Sequence, residues 1–237
     1  MSSAASFPVR LVEQRPLADD VLHLVLEAPE SERFVFTPGQ HVRLSIPLGD
    51  SEQDRYYSIA SPPGAHNRFE LCVAAGEDPG GQALQALEPG VEMRCWGPSG
   101  RFALREPLRD SLFIATGTGV APLRSMIHSI MAGPRGREQR IALLLGARTS
   151  DRLFYREEME QLASEVDSFD FWPTLTRADG GWVGRKGRVL IHLADALSGR
   201  HNETDVYLCG QPEMVTEVSE QLLDAGLDED ALFFEKY

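Results

Sequence analysis

The chain has few of the residues from which common metal and redox centres are built. Only three of its 237 residues are cysteines, and Cys72, Cys95 and Cys209 lie far apart in the sequence. A standard iron–sulfur cluster takes four cysteine thiolates and a structural zinc site takes a similar set, so this chain supplies neither alone. A disulfide scaffold is equally unexpected. None of the six histidines pairs at a ligand spacing, and we therefore predict no metal site.

Positive charge and long apolar runs are also scarce. The 23 basic residues are outnumbered by 36 acidic ones, and no basic stripe is present, which argues against nucleic-acid binding. Runs such as Ile141–Ala147 are far shorter than the roughly 20 residues of a membrane helix. No basic segment precedes an apolar one near the N-terminus, so we predict no secretory signal and expect a cytoplasmic protein without membrane contact. Only Lys186 and Lys236 are lysines, so any anion site should use arginine.

What is present is the composition of a globular protein, with 42% hydrophobic residues and a length that suits two domains. The first hundred residues contain short β-branched and aromatic runs separated by Pro-Gly turns, which is the pattern of an antiparallel barrel. One short helix is predicted at Gln82–Leu87. The six predicted strands are Pro8–Gln14, Val21–Glu27, His41–Ile46, Tyr56–Ala60, Phe69–Ala74 and Val91–Trp96.

From Leu112 onward, apolar strands alternate with amphipathic helices, which indicates a doubly wound parallel sheet with helices on both faces. We predict a β-barrel domain over residues 1–107 and an α/β domain over residues 108–237. The predicted strands are Leu112–Ala115, Ile141–Leu145, Phe169–Leu175, Val206–Cys209 and Leu232–Glu235. The predicted helices are Leu123–Met131, Tyr155–Val166, Val189–Leu197 and one from Pro212 to Gly226.

A glycine-rich segment follows the first strand of the α/β domain. It reads Thr116-Gly117-Thr118-Gly119-Val120-Ala121-Pro122, and such a turn at a helix N-terminus can cradle a pyrophosphate. A tight strand-to-helix turn without a ligand is the alternative. Pro122 occupies the place of the third glycine of the dinucleotide fingerprint, so the motif alone is incomplete.

Three further segments are individually weak signals. Arg55-Tyr56-Tyr57-Ser58 lies on a predicted barrel strand, Cys209-Gly210-Gln211-Pro212 ends a predicted parallel strand, and Glu235-Lys236-Tyr237 comes last. Each is compatible with ordinary structure, because strands contain such residues and a terminal segment is often frayed. Trp96 and Trp172 lie in predicted strands and are expected in the core.

Taken in order, these segments resemble the ferredoxin–NADP⁺ reductase superfamily. The resemblance runs from about Gln14 to Tyr237 and includes Gly97-Pro98-Ser99-Gly100-Arg101-Phe102 and Gly146-Ala147-Arg148. It implies a flavin-binding six-stranded barrel followed by a nicotinamide-nucleotide domain. The choice of FAD over FMN depends on the resemblance.

The resemblance also implies roles for barrel residues. Arg55 would pair with a flavin phosphate, Tyr57 would pack on the isoalloxazine ring, and the Ser58 hydroxyl would reach the N5 edge. The serine or threonine that relatives place before the short helix is replaced here by Gly81, so backbone amides would bind the phosphate instead. The remaining flavin-binding candidates are Tyr56, Cys72, Val73, Gly80, Gly81 and Gln82.

For the coenzyme, the resemblance implies that the glycine turn binds the pyrophosphate and that Cys209 lies near the nicotinamide. Basic residues after the third and fourth strands of this domain would bind the 2′-phosphate of NADPH, which we expect to be preferred. NADH stays open, because the segment from Trp182 to Val189 resembles reductases that take NADH. The coenzyme-binding candidates are Thr116, Gly117, Thr118, Gly119, Pro122, Arg148, Thr176, Arg177, Arg185, Arg188, Cys209, Gly210, Met214 and Tyr237.

The implied activity is that of an NAD(P)H-dependent flavoprotein oxidoreductase. Hydride would pass to bound FAD, and single electrons would go to a separate carrier, namely a ferredoxin, a flavodoxin or an oxygenase component. Alternatives are a flavin reductase that releases free reduced flavin and a non-catalytic flavin- or nucleotide-binding module. We expect a monomer. The catalytic candidates are Ser58, Cys209, Glu235 and Tyr237, with the Tyr237 ring covering the flavin until nicotinamide displaces it.

Overall fold

The chain folds as two units, each built around one six-stranded sheet. The computed structural model describes residues 6–30, 34–64, 67–133, 136, 138–197 and 203–237. The first unit comprises Met1–Ala103 with Arg124–His128, and the second comprises Leu104–Leu123 with Ser129–Tyr237. No helix of the described residues is both long enough and apolar enough to cross a membrane.

The first unit is an antiparallel barrel, as the sequence predicts. Its sheet order is β4-β3-β6-β1-β2-β5. Ile59, which follows β4, bridges Leu71 in β5, and this pairing brings the two edges of the sheet together. The strands are β1 (Phe7–Ala18), β2 (Val21–Glu27), β3 (His41–Leu48), β4 (Ser51–Ser58), β5 (Arg68–Ala74) and β6 (Glu92–Ser99).

Alternation of apolar and polar residues builds this barrel. Phe7, Val9 and Leu11 point inward along β1 while their neighbours face outward. Helix α1 (Pro79–Ala86) begins three residues before the predicted start, and Leu84 joins the barrel core. It begins early because Asp78 caps it and because proline is favoured at the first helical position.

Two barrel strands differ from their predicted bounds. Strand β4 covers Ser51–Ser58, whereas the predicted strand was Tyr56–Ala60. The first five residues of this edge strand are all polar, so no alternation of apolar and polar residues marks its beginning. Trp96 is only half-buried, and the Arg43 guanidinium lies 3.9 Å from the centroid of its ring. The expectation that Trp96 belongs to the core was therefore wrong.

The second unit is a parallel sheet with intervening helices, as predicted. Its order is β10-β9-β8-β7-β11-β12. The strands are β7 (Asp110–Thr116), β8 (Ile141–Ala147), β9 (Phe169–Leu175), β10 (Arg185–Lys186), β11 (Thr204–Gly210) and β12 (Leu232–Lys236). The helices are α2 (Val120–Met131), α3 (Arg156–Glu165), α4 (Leu193–Leu197) and α5 (Pro212–Asp224).

The direction in which strands are added reverses between β7 and β11. The chain adds β8, β9 and β10 on one side of β7, and then adds β11 and β12 on the other side. Ligands of open α/β sheets bind at the carboxyl ends of the strands at such a switch point. The glycine turn after β7 and the Cys209-Gly210 pair at the end of β11 are thus neighbours at the expected place.

Candidate functional site

In the first unit, Arg55 and the start of α1 form a compact group of anion-binding donors. The Arg55 guanidinium forms an ion pair with the Asp78 carboxylate. The same carboxylate accepts hydrogen bonds from the backbone amides of Gly80 and Gly81 at 3.0 and 3.1 Å. These contacts, first the Gly81 amide and then the Arg55 guanidinium, hold the pKa of Asp78 below its usual range. The arrangement can bind a phosphate if the carboxylate gives way.

Gly80 and Gly81 are glycines because the backbone is approached closely at both positions. A Cβ atom on Gly80 would lie 2.6 Å from Nη2 of Arg55, and one on Gly81 would lie 2.6 Å from the Gly76 nitrogen. The Gln82 amide donates to the Asp78 carbonyl oxygen at 2.9 Å. This cradle fits a flavin phosphate, because a side chain at Gly80 would fill the space beside the Arg55 guanidinium.

Tyr57 provides a second observation in favour of a flavin. Its hydroxyl oxygen is buried and has no hydrogen-bond partner among the described residues. Burial raises the pKa of this hydroxyl, and the Arg55 charge opposes that effect. A buried polar atom without a partner is costly unless a ligand satisfies it. The Tyr57 ring packs against the barrel core, and the Arg55 guanidinium is the charged group that acts on its hydroxyl. The hydroxyl, rather than the ring, is therefore the part of Tyr57 that a bound flavin would satisfy.

The other predicted flavin residues have different surroundings. Tyr56 is 65% exposed and Ser58 is partly buried. Cys72 and Val73 are buried in β5, where Val73 belongs to the barrel core. The roles of these four residues stay predictions.

In the second unit, the turn after β7 requires glycine at two positions. Gly117 has φ +58°, a conformation that favours glycine. A Cβ atom on Gly119 would collide with the Cys209 carbonyl group, so glycine is needed for the close approach to β11. The Thr116 hydroxyl oxygen is buried without a partner among the described residues. Thr118 lies inside the turn and Pro122 lies in the first turn of α2, where no amide is needed.

Tyr237 contacts this turn directly. Its hydroxyl donates to the Thr116 carbonyl oxygen at 2.8 Å and accepts from the Gly119 amide at 2.6 Å. A pyrophosphate held by the turn would use the same amide. The hydroxyl therefore occupies a donor that the coenzyme is expected to need, a contact that the prediction of ring stacking did not include.

Cys209 and Glu235 are register partners on adjacent strands β11 and β12. Cys209 is 1% exposed, and burial, with a smaller contribution from the Glu235 charge, raises the pKa of its thiol. The thiol is therefore neutral and suits a packing surface better than a nucleophile. Gly210 and Met214 pack closely together, and Met214 belongs to the core of the second unit.

The predicted 2′-phosphate residues fall into two groups. The Arg177 amide donates to the Arg148 carbonyl oxygen at 2.8 Å. The two residues and Thr176 are exposed, and neither guanidinium forms an ion pair with any residue in the described ranges. They are therefore adjacent, available cations beyond the carboxyl ends of β8 and β9.

Arg185 and Arg188 have other partners. The Arg185 guanidinium lies 3.8 Å from the centroid of the Trp172 ring. Trp172 is partly buried and packs against the core of the second unit, so it lies at the margin of the core in which it was predicted. The Arg188 guanidinium forms an ion pair with Glu217 of α5. Sequence reasoning missed Asp78 and Glu217. For Asp78 a signal existed, because aspartate before Pro-Gly-Gly is a helix-cap pattern.

No cluster of three or more histidine, cysteine or acidic side chains that could hold a metal ion is found in the part of the chain that the structure describes. The site is thus built from arginine, glycine, tyrosine and backbone amides, which are groups that bind phosphates and planar rings.

Comparisons with known proteins agree with this geometry. The family described as the oxidoreductase FAD-binding domain matches residues 8–104, and the oxidoreductase NAD-binding domain matches residues 113–220. A ferredoxin–NADP reductase B from Sorangium cellulosum is 40% identical over 228 residues, covering 93% of this chain and 92% of that protein. The chain belongs to the ferredoxin–NADP⁺ reductase superfamily. It is an oxidoreductase with one FAD-binding and one nicotinamide-nucleotide-binding domain.

Other members of the superfamily differ in length. The reductase component of phenol 2-monooxygenase from Pseudomonas sp. strain CF600 is 34% identical, and the chain spans 60% of that protein. The solved ferredoxin NADP⁺ reductase of Neisseria gonorrhoeae, with bound FAD and NADP, superposes with a TM-score of 0.81 at 20% identity over 98% of this chain and 99% of that chain. This superposition shows that our chain and the Neisseria gonorrhoeae reductase share one fold.

Proposed function

We propose that this reductase takes electrons from NADPH and delivers them singly to a separate protein carrier, which is a ferredoxin, a flavodoxin or an oxygenase component. The observation that carries the proposal is the relative from Sorangium cellulosum, which is 40% identical and matches almost end to end. FAD, when bound, supplies the exchange between hydride and single-electron chemistry.

The side chains of the barrel would hold and orient the flavin. Arg55 and the amides of Gly80 and Gly81 supply donors for its phosphate, and Tyr57 supplies an aromatic face and a buried hydroxyl for the rest of the molecule. Ser58 is the candidate for the hydrogen bond at the reacting edge. The three cysteines of this chain cannot hold a standard iron–sulfur cluster, so these residues do not supply the redox centre of an iron–sulfur carrier.

The preference for NADPH is supported by Arg148 and Arg177. Both are exposed beyond the carboxyl ends of β8 and β9, and neither guanidinium has an ion-pair partner within the described ranges. An arginine fork suits a phosphate dianion, whereas NADH has only ribose hydroxyl groups at this position. The pair therefore favours the coenzyme that carries the extra phosphate.

The test is to purify the protein, record its spectrum, and supply NADPH or NADH with a ferredoxin, a flavodoxin or free flavin as acceptor. We expect a yellow protein whose flavin survives gel filtration and a carrier reduction that is faster with NADPH. A protein that loses its flavin and reduces free flavin instead would be a flavin reductase. A protein without flavin and without NAD(P)H oxidation would be a binding module.

A further inference from the structure

Asp78 fills the place where the barrel is expected to hold a flavin phosphate. Its carboxylate accepts from the amides of Gly80 and Gly81 and pairs with Arg55. Its carbonyl oxygen accepts from the Gln82 amide. One residue of this chain therefore engages every donor that the phosphate would use.

We propose that Asp78 is an internal competitor for the flavin phosphate, and that it sets both how tightly the barrel binds flavin and how strongly it prefers FAD to FMN. This inference rests on the proposed function, which assigns the flavin phosphate to Arg55 and the start of α1. It concerns the affinity for the cofactor rather than the chemistry that the cofactor supplies.

Helix capping alone does not account for the Asp78 contacts. Serine, threonine or asparagine would satisfy the amides of Gly80 and Gly81 equally well. Only the carboxylate also neutralises Arg55, and Arg55 is seated directly against the Gly80 backbone. The guanidinium therefore faces either Asp78 or a phosphate, and a neutral cap would leave it free for the phosphate.

The Asp78 side chain can rotate away from these donors into solvent, since 52% of it is exposed. A flavin phosphate must either displace the carboxylate or bind beside it. Displacement loses an ion pair and two charge-assisted hydrogen bonds, whereas binding beside the carboxylate brings two anions together. Either route weakens flavin binding relative to a chain with a neutral cap.

The two flavin nucleotides are affected differently. The phosphate of FMN is a monoester that is largely dianionic at pH 7, whereas each phosphate of FAD carries a single charge. Repulsion from a neighbouring carboxylate grows with the charge of the phosphate. Asp78 should therefore penalise FMN more than FAD, and riboflavin, which lacks a phosphate, should be unaffected.

The decisive variant is Asp78→Asn, which keeps an acceptor for the Gly80 and Gly81 amides and removes only the charge. We would titrate flavin-free protein at pH 7 and low salt with FAD, FMN and riboflavin, and follow flavin fluorescence. We expect about tenfold tighter binding of FAD, a larger gain for FMN, and a change within about twofold for riboflavin. Glu77→Gln is the matched control, because it removes the same charge one residue away.

A second pair of variants tests the role of Arg55. In an Arg55→Ala background, Asp78→Asn should tighten FAD binding less than it does in the wild type, because no guanidinium is left to release and only the repulsion between the carboxylate and the phosphate is removed. The melting temperature of the flavin-free protein should be similar in the wild type and Asp78→Asn, which shows that the cap is retained. Unchanged or weaker FAD binding in Asp78→Asn, or an equal gain for riboflavin, would overturn the inference. A wild type that binds no FAD at all would instead refute the proposed function.

Discussion

Arg55 is the residue on which flavin retention should depend most. Its guanidinium is 20% exposed and lies against the amides that begin α1. A hydrogen bond to a charged group is worth about 1.5–3 kcal/mol, so Arg55→Ala should lower FAD affinity tenfold or more. Equilibrium titration of the flavin-free protein measures this effect.

Arg68→Ala provides the matched control for Arg55→Ala. Arg68 forms an ion pair with Glu27 on the same barrel and is 55% exposed, but it is remote in sequence from the start of α1. Its removal should leave FAD affinity unchanged. Equal losses in the two variants would show that Arg55 acts through the general charge of the barrel and not through a phosphate contact.

At the scale of the elements, the turn between β7 and α2 is closed by the hydroxyl of Tyr237. Tyr237→Phe removes this hydroxyl and keeps the ring, which frees the Gly119 amide for a pyrophosphate. NADP⁺ should then bind a few-fold more tightly, since one neutral hydrogen bond is worth about 1 kcal/mol. Difference spectra of the flavin during an NADP⁺ titration provide the measurement.

Two further variants separate the hydroxyl from the ring. Tyr237→Ser should tighten NADP⁺ beyond the effect of Tyr237→Phe if the ring also covers the flavin, as the family resemblance implies. Phe234→Leu changes an exposed aromatic residue of β12, the strand that Tyr237 directly follows, and should have no effect. An affinity of Tyr237→Phe equal to that of the wild type would mean that the hydroxyl contact does not oppose the coenzyme.

The loops after β8 and β9 are expected to choose between the coenzymes. Arg177→Ala should raise KM for NADPH about tenfold or more while changing KM for NADH little, because only NADPH carries the 2′-phosphate. Arg188→Ala should have a smaller effect, because Arg188 is paired with Glu217. Steady-state kinetics with both coenzymes would contradict this assignment if Arg177→Ala weakened NADPH and NADH equally.

Most elements were predictable because their residues repeat with a clear period. Strand β9 has its predicted bounds, Phe169–Leu175, and α5 begins at the predicted Pro212. Strand β10 was missed because Arg185 and Lys186 are charged and form only two backbone pairs with β9. The predicted helix at Val189–Leu197 begins as a 3₁₀ turn over Val189–His192 before α4.

The site was predictable only in part, for a different reason. Motifs identify functional residues that lie close together in the sequence, such as Arg55 with Tyr57 or Thr116 with Gly119. Motifs do not show which side chain from another part of the chain binds the hydrogen-bond donors of these residues. The pairing of Asp78 with Arg55 and the bond from Tyr237 to Thr116 join residues that are distant in sequence, and only the fold reveals them.

At the scale of the whole molecule, a buried polar network gives the first unit a pH dependence. Arg124 donates to Glu70 at 2.6 Å, and Nε2 of His23 lies 3.9 Å from the same carboxylate oxygen. Burial, and then the charge of Arg15, lowers the pKa of His23, while Glu70 opposes them. Further charges from Arg124 and Glu13 act on the same imidazole.

The lowered pKa sets the sign of the effect. Above the ordinary histidine pKa, 6.5, His23 is neutral in both the folded and the unfolded protein. Its protonation therefore takes nothing from the free energy of unfolding. As the pH falls below that value, the unfolded chain takes up a proton that the folded protein resists, so the free energy of unfolding decreases. His23→Gln should remove this part of the decrease.

Urea unfolding at pH 7.5, 6.5 and 5.5 would measure the difference. As the pH falls, the free energy of unfolding of the wild type should decrease more than that of His23→Gln. Parallel curves for the two proteins would show that His23 takes up its proton equally well in the folded and unfolded states.

The arginines that cover the tryptophans have an optical consequence. All three indoles of the chain lie near a guanidinium, with Arg43 at 3.9 Å from Trp96, Arg185 at 3.8 Å from Trp172 and Arg156 at 5.0 Å from Trp182. A guanidinium held over an indole interacts with the π-system of the ring, so we expect its movement to change the indole emission. Trp96 therefore reports on the first unit, while Trp172 and Trp182 report on the second. If Arg185 turns toward a coenzyme phosphate, the emission of Trp172 should change, and that change would be an intrinsic fluorescent signal for coenzyme binding.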